Sequence, residues 1–172
     1  MFRLLCLGFW LLAPSQGPWG DDYRALSAHQ LVMPVLGANR KEIQDTFRDS
    51  RSGGRVHEAT DILAPRNTPV VAMDDGVIRK LFTSVRGGLT IYEFDPSETY
   101  CFYYAHLDHY APGIKENMPV KRGVIIGYVG TTGDAPPDTP HLHLEITRLG
   151  PDKKWWQGTD INPYPLLKQM AK

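Results

Sequence analysis

Hydrophobic and polar positions alternate strictly from His141 to Glu145: Leu142 and Leu144 interleave with His141, His143 and Glu145. A period of two predicts a half-buried β-strand, with residues i, i+2 and i+4 on one face. Leu142 and Leu144 then face a core, while two imidazoles and a carboxylate face the other way. The same reading gives strands along much of the chain. Thr68 to Met73 is one, closed by Asp74-Asp75-Gly76, whose Asp-Gly pair predicts a hairpin turn. Val77 to Thr83 follows. Arg86-Gly87-Gly88 turns the chain into Leu89 to Phe94, and Asp95-Pro96-Ser97 turns it into Thr99 to His106. Pro119 to Gly123 leads into Val124 to Gly130, and a Gly/Pro/Asp-rich loop from Thr131 to Pro140 precedes the His141 strand. Closely spaced turns with no long helical period predict an all-β protein, mainly antiparallel, of sandwich or barrel type. Short helical segments are expected only towards the ends, within Asp22 to Val32 and over Leu166 to Met170.

Composition narrows the picture. The 172 residues suit one domain, and 42% hydrophobic content supplies a core without suggesting a polytopic membrane protein. The formal charge is zero, so nothing points to nucleic acid. The N-terminus has the three-part layout of a secretory signal peptide: the short basic start Met1-Phe2-Arg3, the apolar run Leu4 to Ala13, and the turn-prone Pro14 to Gly20. That run is too short to span a bilayer comfortably. The expectation is an exported protein, periplasmic or extracellular, with no transmembrane anchor after cleavage and a monomeric state. Cys101 is then the single cysteine of the mature chain, so no internal disulfide can form. In the aromatic run Tyr100 to Tyr104 it reads as a buried thiol. His29 has no patterned neighbours and reads as solvated.

Metal chemistry enters through the histidines. Zinc takes imidazole nitrogen and carboxylate oxygen, and a catalytic site commonly has three protein ligands and an open position. His141 and His143 lie about 6.6 Å apart along a strand, close enough for their side chains to converge. His57 and Asp61 would be about 13 Å apart on a regular strand, so that segment must bend to bring them together. His106, in Tyr104-Ala105-His106-Leu107, is a further candidate, while Glu58 and His109 read as solvated. Spacing alone leaves open which of His141 and His143 binds a metal.

The order of these motifs resembles the lysostaphin-like (LytM-type) zinc metallopeptidases, peptidoglycan endopeptidases. The matching blocks are Arg55 to Ile62, Thr68 to Ala72 with Asp75-Gly76-Val77, Tyr104 to Leu107, Val120 to Gly123, Ile126 to Gly130, Thr132-Gly133 and His141 to Glu145. The resemblance covers roughly residues 34–165. It implies a largely antiparallel β-sheet fold with a narrow groove and a Zn2+ ion at its floor. The implied ligands are His57, Asp61 and His143, and the implied catalytic histidines are His106 and His141. The expected domains are a signal peptide (1–20), an N-terminal extension (21–50) and a zinc metallopeptidase domain (51–168). The implied substrate is the peptide crosslinks or stem peptides of peptidoglycan. His141 would act as general base, His106 would stabilise the oxyanion or reorient the water, and Glu145 could fix a histidine tautomer. The alternative is a non-catalytic cell-wall-binding or hydrolase-regulating module on the same fold, a reading that goes with lost ligands or histidines. Ala59 stands where the family usually has glycine, so the bend there must be made without it. Asp134 to Pro140 is proline-rich where the family commonly has a glycine-rich turn.

Overall fold

The His141 alternation opens a strand nine residues long. In a computed structural model describing residues 19–170, this strand lies between three others. The elements in chain order are α1 Gly20–Ala28, β1 Ser50–Arg51, β2 Arg55–Val56, β3 Thr60–Leu63, β4 Pro69–Val71, β5 Gly76–Ser84 and β6 Gly88–Phe94. They continue with β7 Tyr100–Tyr110, β8 Met118–Val120, β9 Ile125–Val129, β10 His141–Leu149, β11 Gly158–Ile161 and α2 Tyr164–Gln169. The two helices overlap the expected end segments, each beginning two residues earlier, at Gly20 and Tyr164. The expected signal peptide falls almost wholly outside the described residues.

All pairings are antiparallel. The main sheet runs β11-β10-β7-β6-β5-β8, with β3 also on β10, β9 on β7, and β4 on β9. Alternation divides the sheet into two faces. One buries Leu142, Leu144 and Ile146 of β10, Phe102 and Tyr104 of β7, Ile91 of β6 and Ile78 of β5. Against these pack Val70, Ile126 and Val129 from β4 and β9, Leu26 from α1, and Leu166 and Leu167 from α2. Each fully buried aliphatic side chain contributes about 1.5–3 kcal/mol relative to exposure, which anchors the strands carrying the histidines. The opposite face holds His143, Glu145, Tyr103, Tyr92 and Lys80, aligned across four strands by register.

Residues 21–50 are woven into this core. Leu26, Val35, Ile43 and Phe47 are buried. Val35 bridges to Val70, and Val71 N–H donates to the Pro34 carbonyl. Asp22 accepts from Tyr100 Oη and the Arg148 guanidinium, which ties α1 to the sheet.

Two local readings need correction. Asp74-Asp75-Gly76 does not close a hairpin, because β4 pairs with β9 while β5 pairs with β6 and β8. Asp75 instead accepts from Arg122 N–H at 3.0 Å and Lys121 Nζ at 2.9 Å, so its turn is fixed by a distant segment. His29 is not free in solvent. Its Nδ1 lies 2.6 Å from Asp74 Oδ2 and its ring meets Tyr100 edge-on. The turns at Arg86 to Gly88 and Asp95 to Ser97 do close hairpins, β5–β6 and β6–β7. At the second, Asp95 accepts from the backbone of Ser97 and Tyr100. Cys101 is buried as expected, and burial pushes its thiol well above the ordinary range.

Candidate metal centre

The chain leaves β2 at His57 and re-enters strand geometry at Thr60, so the required bend is present. It forms without glycine. Thr46 Oγ1 accepts from Asp61 N–H at 3.0 Å and donates to the Ala59 carbonyl at 3.5 Å, clipping the bend from outside. His57 N–H donates to Asp49 O, and Arg48 N–H donates to His57 O. β3 then pairs with β10 in a register that sets Asp61 directly opposite His143. Side chains directly opposite on one face are close neighbours.

His57, Asp61 and His143 each offer a ligand atom, all within 4.8 Å of one another. His57 Nε2 lies 3.1 Å from Asp61 Oδ1. His143 Nδ1 lies 3.0 Å from both that oxygen and His57 Nε2. The other ring nitrogens are committed. His57 Nδ1 donates to the Thr46 carbonyl at 2.8 Å, and His143 Nε2 donates to Glu145 Oε1 at 3.0 Å. In the neutral rings the inward nitrogens therefore carry lone pairs. Two lone pairs and a carboxylate oxygen this close repel one another unless a cation or proton lies between them. Donors at about 2.1 Å around a tetrahedral zinc stand about 3.4 Å apart, close to the spacing seen, so the donor set fits that ion.

His106 and His141 complete the floor. His141 Nδ1 donates to the Thr139 carbonyl at 2.8 Å, leaving Nε2 free, 3.8 Å from Asp61 Oδ1. His106 Nδ1 donates to the Thr132 carbonyl at 2.8 Å. The His106 ring centroid is 4.9 Å from that of His141 and 5.4 Å from that of His143. In an unbroken strand His106 would share the core face of Tyr104. It instead has φ of 58°, the left-handed region, beside a register irregularity between β6 and β7. This kink turns its ring onto the site face, and its N–H donates to the Gly87 carbonyl.

The electrostatics follow the contacts. Burial alone would raise Asp61, but the bonds to His143 and His57 outweigh it and hold the carboxyl far below the usual range. Burial would lower His143, yet Asp61 and Glu145 push it up to about 9. The centre therefore favours positive charge. Burial, aided by the other two imidazoles, brings His106 down to about 4 against the pull of the Thr132 carbonyl.

The groove above these residues encloses about 820 Å³. Arg51, Arg55, Arg86, Tyr103 and Asp134 line its walls, and among the described residues every lining residue lies at position 51 or beyond. Arg51 donates to Asp61 Oδ2 at 2.6 Å, and Arg55 lies 4.0 Å from Asp134. Sequence reasoning missed these arginines, since a lone Arg in a polar turn carries no periodic signal. It also missed the carbonyls of Thr46, Thr132 and Thr139, because a backbone acceptor leaves no trace in residue type. Glu58 is exposed, and His109 pairs with Asp108 and stacks on Tyr128, outside the cluster.

Comparison with known proteins finds similar sequences and similar folds. Residues 55–163 match the family model described as Peptidase family M23. The chain is 34% identical over 150 residues to the L-Ala--D-Glu endopeptidase of Bacillus subtilis (strain 168), covering 83% of this chain and 44% of that protein. It is 37% identical over 92 residues to the Peptidoglycan DD-endopeptidase ShyC of Vibrio cholerae serotype O1, covering 54% of this chain and 20% of that one. The chain thus spans less than half the length of these curated relatives. Among solved structures, the catalytic domain of lysostaphin from Staphylococcus simulans superposes with a TM-score of 0.63 at 27% identity, over 76% of this chain and 96% of that one. A zinc containing peptidase from Vibrio cholerae gives 0.56 at 31% identity, over 66% and 35%.

Proposed function

The chain belongs to peptidase family M23, and on that premise we propose that it is a zinc metalloendopeptidase hydrolysing peptide bonds in bacterial peptidoglycan. The observation that carries the reading is the trio of converging donor atoms on His57, Asp61 and His143, with the outward nitrogen of each imidazole already bonded elsewhere. The names of the relatives, L-Ala--D-Glu endopeptidase and Peptidoglycan DD-endopeptidase, support the substrate class. The peptidase domain is assigned to residues 51–168, with residues 21–50 as a buttress whose Thr46 clips the His57–Asp61 bend. Export is assigned to the signal peptide read at residues 1–20. No helix among the described residues is long and apolar enough to cross a membrane.

His57 Nε2, Asp61 and His143 Nδ1 would hold Zn2+, which when bound would supply a Lewis acid to polarise the scissile carbonyl and acidify a water molecule. The remaining work falls to side chains. Glu145 holds the His143 ring with its Nδ1 lone pair inward. His141 is the general base: its Nδ1 is tied to Thr139, so its free Nε2 takes the proton of the attacking water and returns it to the leaving amine. His106 presents an Nε2 lone pair because its Nδ1–H is spent on Thr132, so it orients the water by accepting a hydrogen bond. Of the two roles considered for His106, this bond favours orientation over oxyanion stabilisation by the neutral ring.

Incubating the purified chain with isolated peptidoglycan and reading the fragments by mass tests the proposal. New amino and carboxyl termini within stem peptides or crosslinks are expected. Unchanged fragments from zinc-supplemented protein would overturn it.

A further inference from the structure

The sheet face that carries the metal centre continues into a row of aromatic rings that hydrolysis does not use. Tyr103 lines the groove, its ring centroid 6.1 Å from that of His143. Tyr92 is its cross-strand partner at 4.6 Å. Trp155, from the loop between β10 and β11, lies 4.6 Å from Tyr92 and 5.4 Å from Phe82. Trp156 follows at 5.0 Å from Trp155. The inner end is firmly seated, since Tyr92 and Trp155 pack over buried Phe94, Cys101 and Leu149. The outer end is open: Trp156 is 61% exposed and Phe82 40% exposed. Register places Lys80 and Glu145 at the two ends of the Tyr92–Tyr103 row.

We infer that this aromatic platform binds the sugar strand of the polymer, with pyranose rings stacked on Trp156, Trp155 and Phe82, an inference that rests on the peptidoglycan reading. A pyranose has a C–H face that matches an aromatic ring and a hydroxyl edge that needs polar partners. The open rings of Trp156 and Phe82 offer the first, and Lys154 and Gln157, which flank the two tryptophans in the chain, offer the second. The platform is continuous with the groove rather than a separate patch. Three strand spacings of about 4.8 Å separate β10 from β5, so Phe82 stands about 14 Å from the metal centre. An extended peptide covers that in about four residues at 3.3–3.6 Å each, so a peptide attached to a sugar here delivers its bonds into the groove. A second copy of the chain fits poorly. The open rings of Trp156 and Phe82 offer on the order of 200 Å², well below the roughly 800 Å² per partner of a stable interface.

The test uses the full chain and two probes, N-acetylated β-1,4-linked amino-sugar oligomers and peptidoglycan sugar strands stripped of peptide. Neither has a bond for the enzyme to cut. Oligomers should change the tryptophan fluorescence and stripped strands should co-sediment the protein. Trp156→Ala and Phe82→Ala should each weaken binding about tenfold or more, as loss of one stacked ring removes a central contact. On intact polymer these variants should raise KM with kcat held, while cleavage of a sugar-free peptide keeps its wild-type rate. Trp156→Gln and Phe82→Gln serve where an alanine variant melts early. Wild-type protein blind to both sugars, or variants that bind as tightly, would overturn the platform, as would a dimer that Trp156→Ala dissociates. Sugar binding without hydrolysis of any substrate would sink the peptidase reading and leave the platform standing; the reverse result would do the opposite.

Discussion

Replacing Glu93 with Gln should make the protein more stable in alkali and slightly less stable in acid. Glu93 lies on β6 with no exposed surface. Its Oε2 accepts from Tyr104 Oη at 2.6 Å, and that hydroxyl accepts from Met73 N–H at 2.9 Å. Burial pushes the carboxyl from an ordinary 4.5 up to about 8, with Asp74 adding to the rise and the Tyr104 bond opposing it. Between those values the folded chain keeps a proton that the unfolded chain has released. Stability is therefore full below about pH 4.5 and falls as the pH rises through about 8. At about 1.4 kcal/mol per unit the loss approaches 5 kcal/mol, an upper bound because an ionised Glu93 can draw in water. Gln cannot ionise, and its carbonyl oxygen can still accept from Tyr104. Its amide adds a buried donor that costs about 1–3 kcal/mol at every pH. The two stability curves should cross between about pH 5 and 7, with the variant ahead by about 2–4 kcal/mol near pH 9. Urea unfolding followed by tryptophan fluorescence across that range reads it directly. Parallel curves would show that Glu93 does not titrate between the folded and unfolded states as its burial requires.

Gly88 has φ of +63°, and a Cβ there would sit 2.3–2.5 Å from the Thr132 and Gly133 backbone, so Gly88→Ala should cost at least about 2 kcal/mol in thermal or urea unfolding. A cost below about 0.5 kcal/mol would contradict the packing at that turn. Glu145→Ala should weaken zinc binding about 10–100-fold in chelator competition, because the His143 ring loses its outer partner, whereas unchanged affinity would deny Glu145 that role. Cys101 should resist thiol reagents in the folded protein and react fully in denaturant, and fast labelling of native protein would contradict its burial.

Much of the fold was readable because alternation survives wherever one sheet face is buried. Leu142 and Leu144 interleaved with His141, His143 and Glu145 assign β10 its two faces, and the short helices near the ends overlap the expected segments. The His57–Asp61 bend was readable as a geometric need, though its clip, Thr46, was not, since a hydroxyl eleven residues before His57 carries no local signal. Asp75-Gly76 misled because turn chemistry is local, while partner choice among strands is decided by distant segments, here β9 for β4 and β8 for β5. His29 looked solvated because Asp74, its partner, is forty-five residues away. An even strand places His106 on the core face, and the left-handed kink that aims its ring at the site cannot be read from residue type. The resemblance drew the histidines into one site, and β3–β10 register supplies the physical reason: Asp61 stands opposite His143, and His141 one step back.

In the proposed reaction His57, Asp61 and His143 hold zinc while His141 serves as the base. The most direct test is metal content and peptidoglycan hydrolysis measured together on wild type, His143→Ala and His141→Ala, none exposed to chelator. The expected result is about one zinc per wild-type chain, loss of both metal and activity in His143→Ala, and retained metal with lost activity in His141→Ala. A wild type free of stoichiometric metal, or a His141→Ala variant as metal-free as His143→Ala, would contradict it.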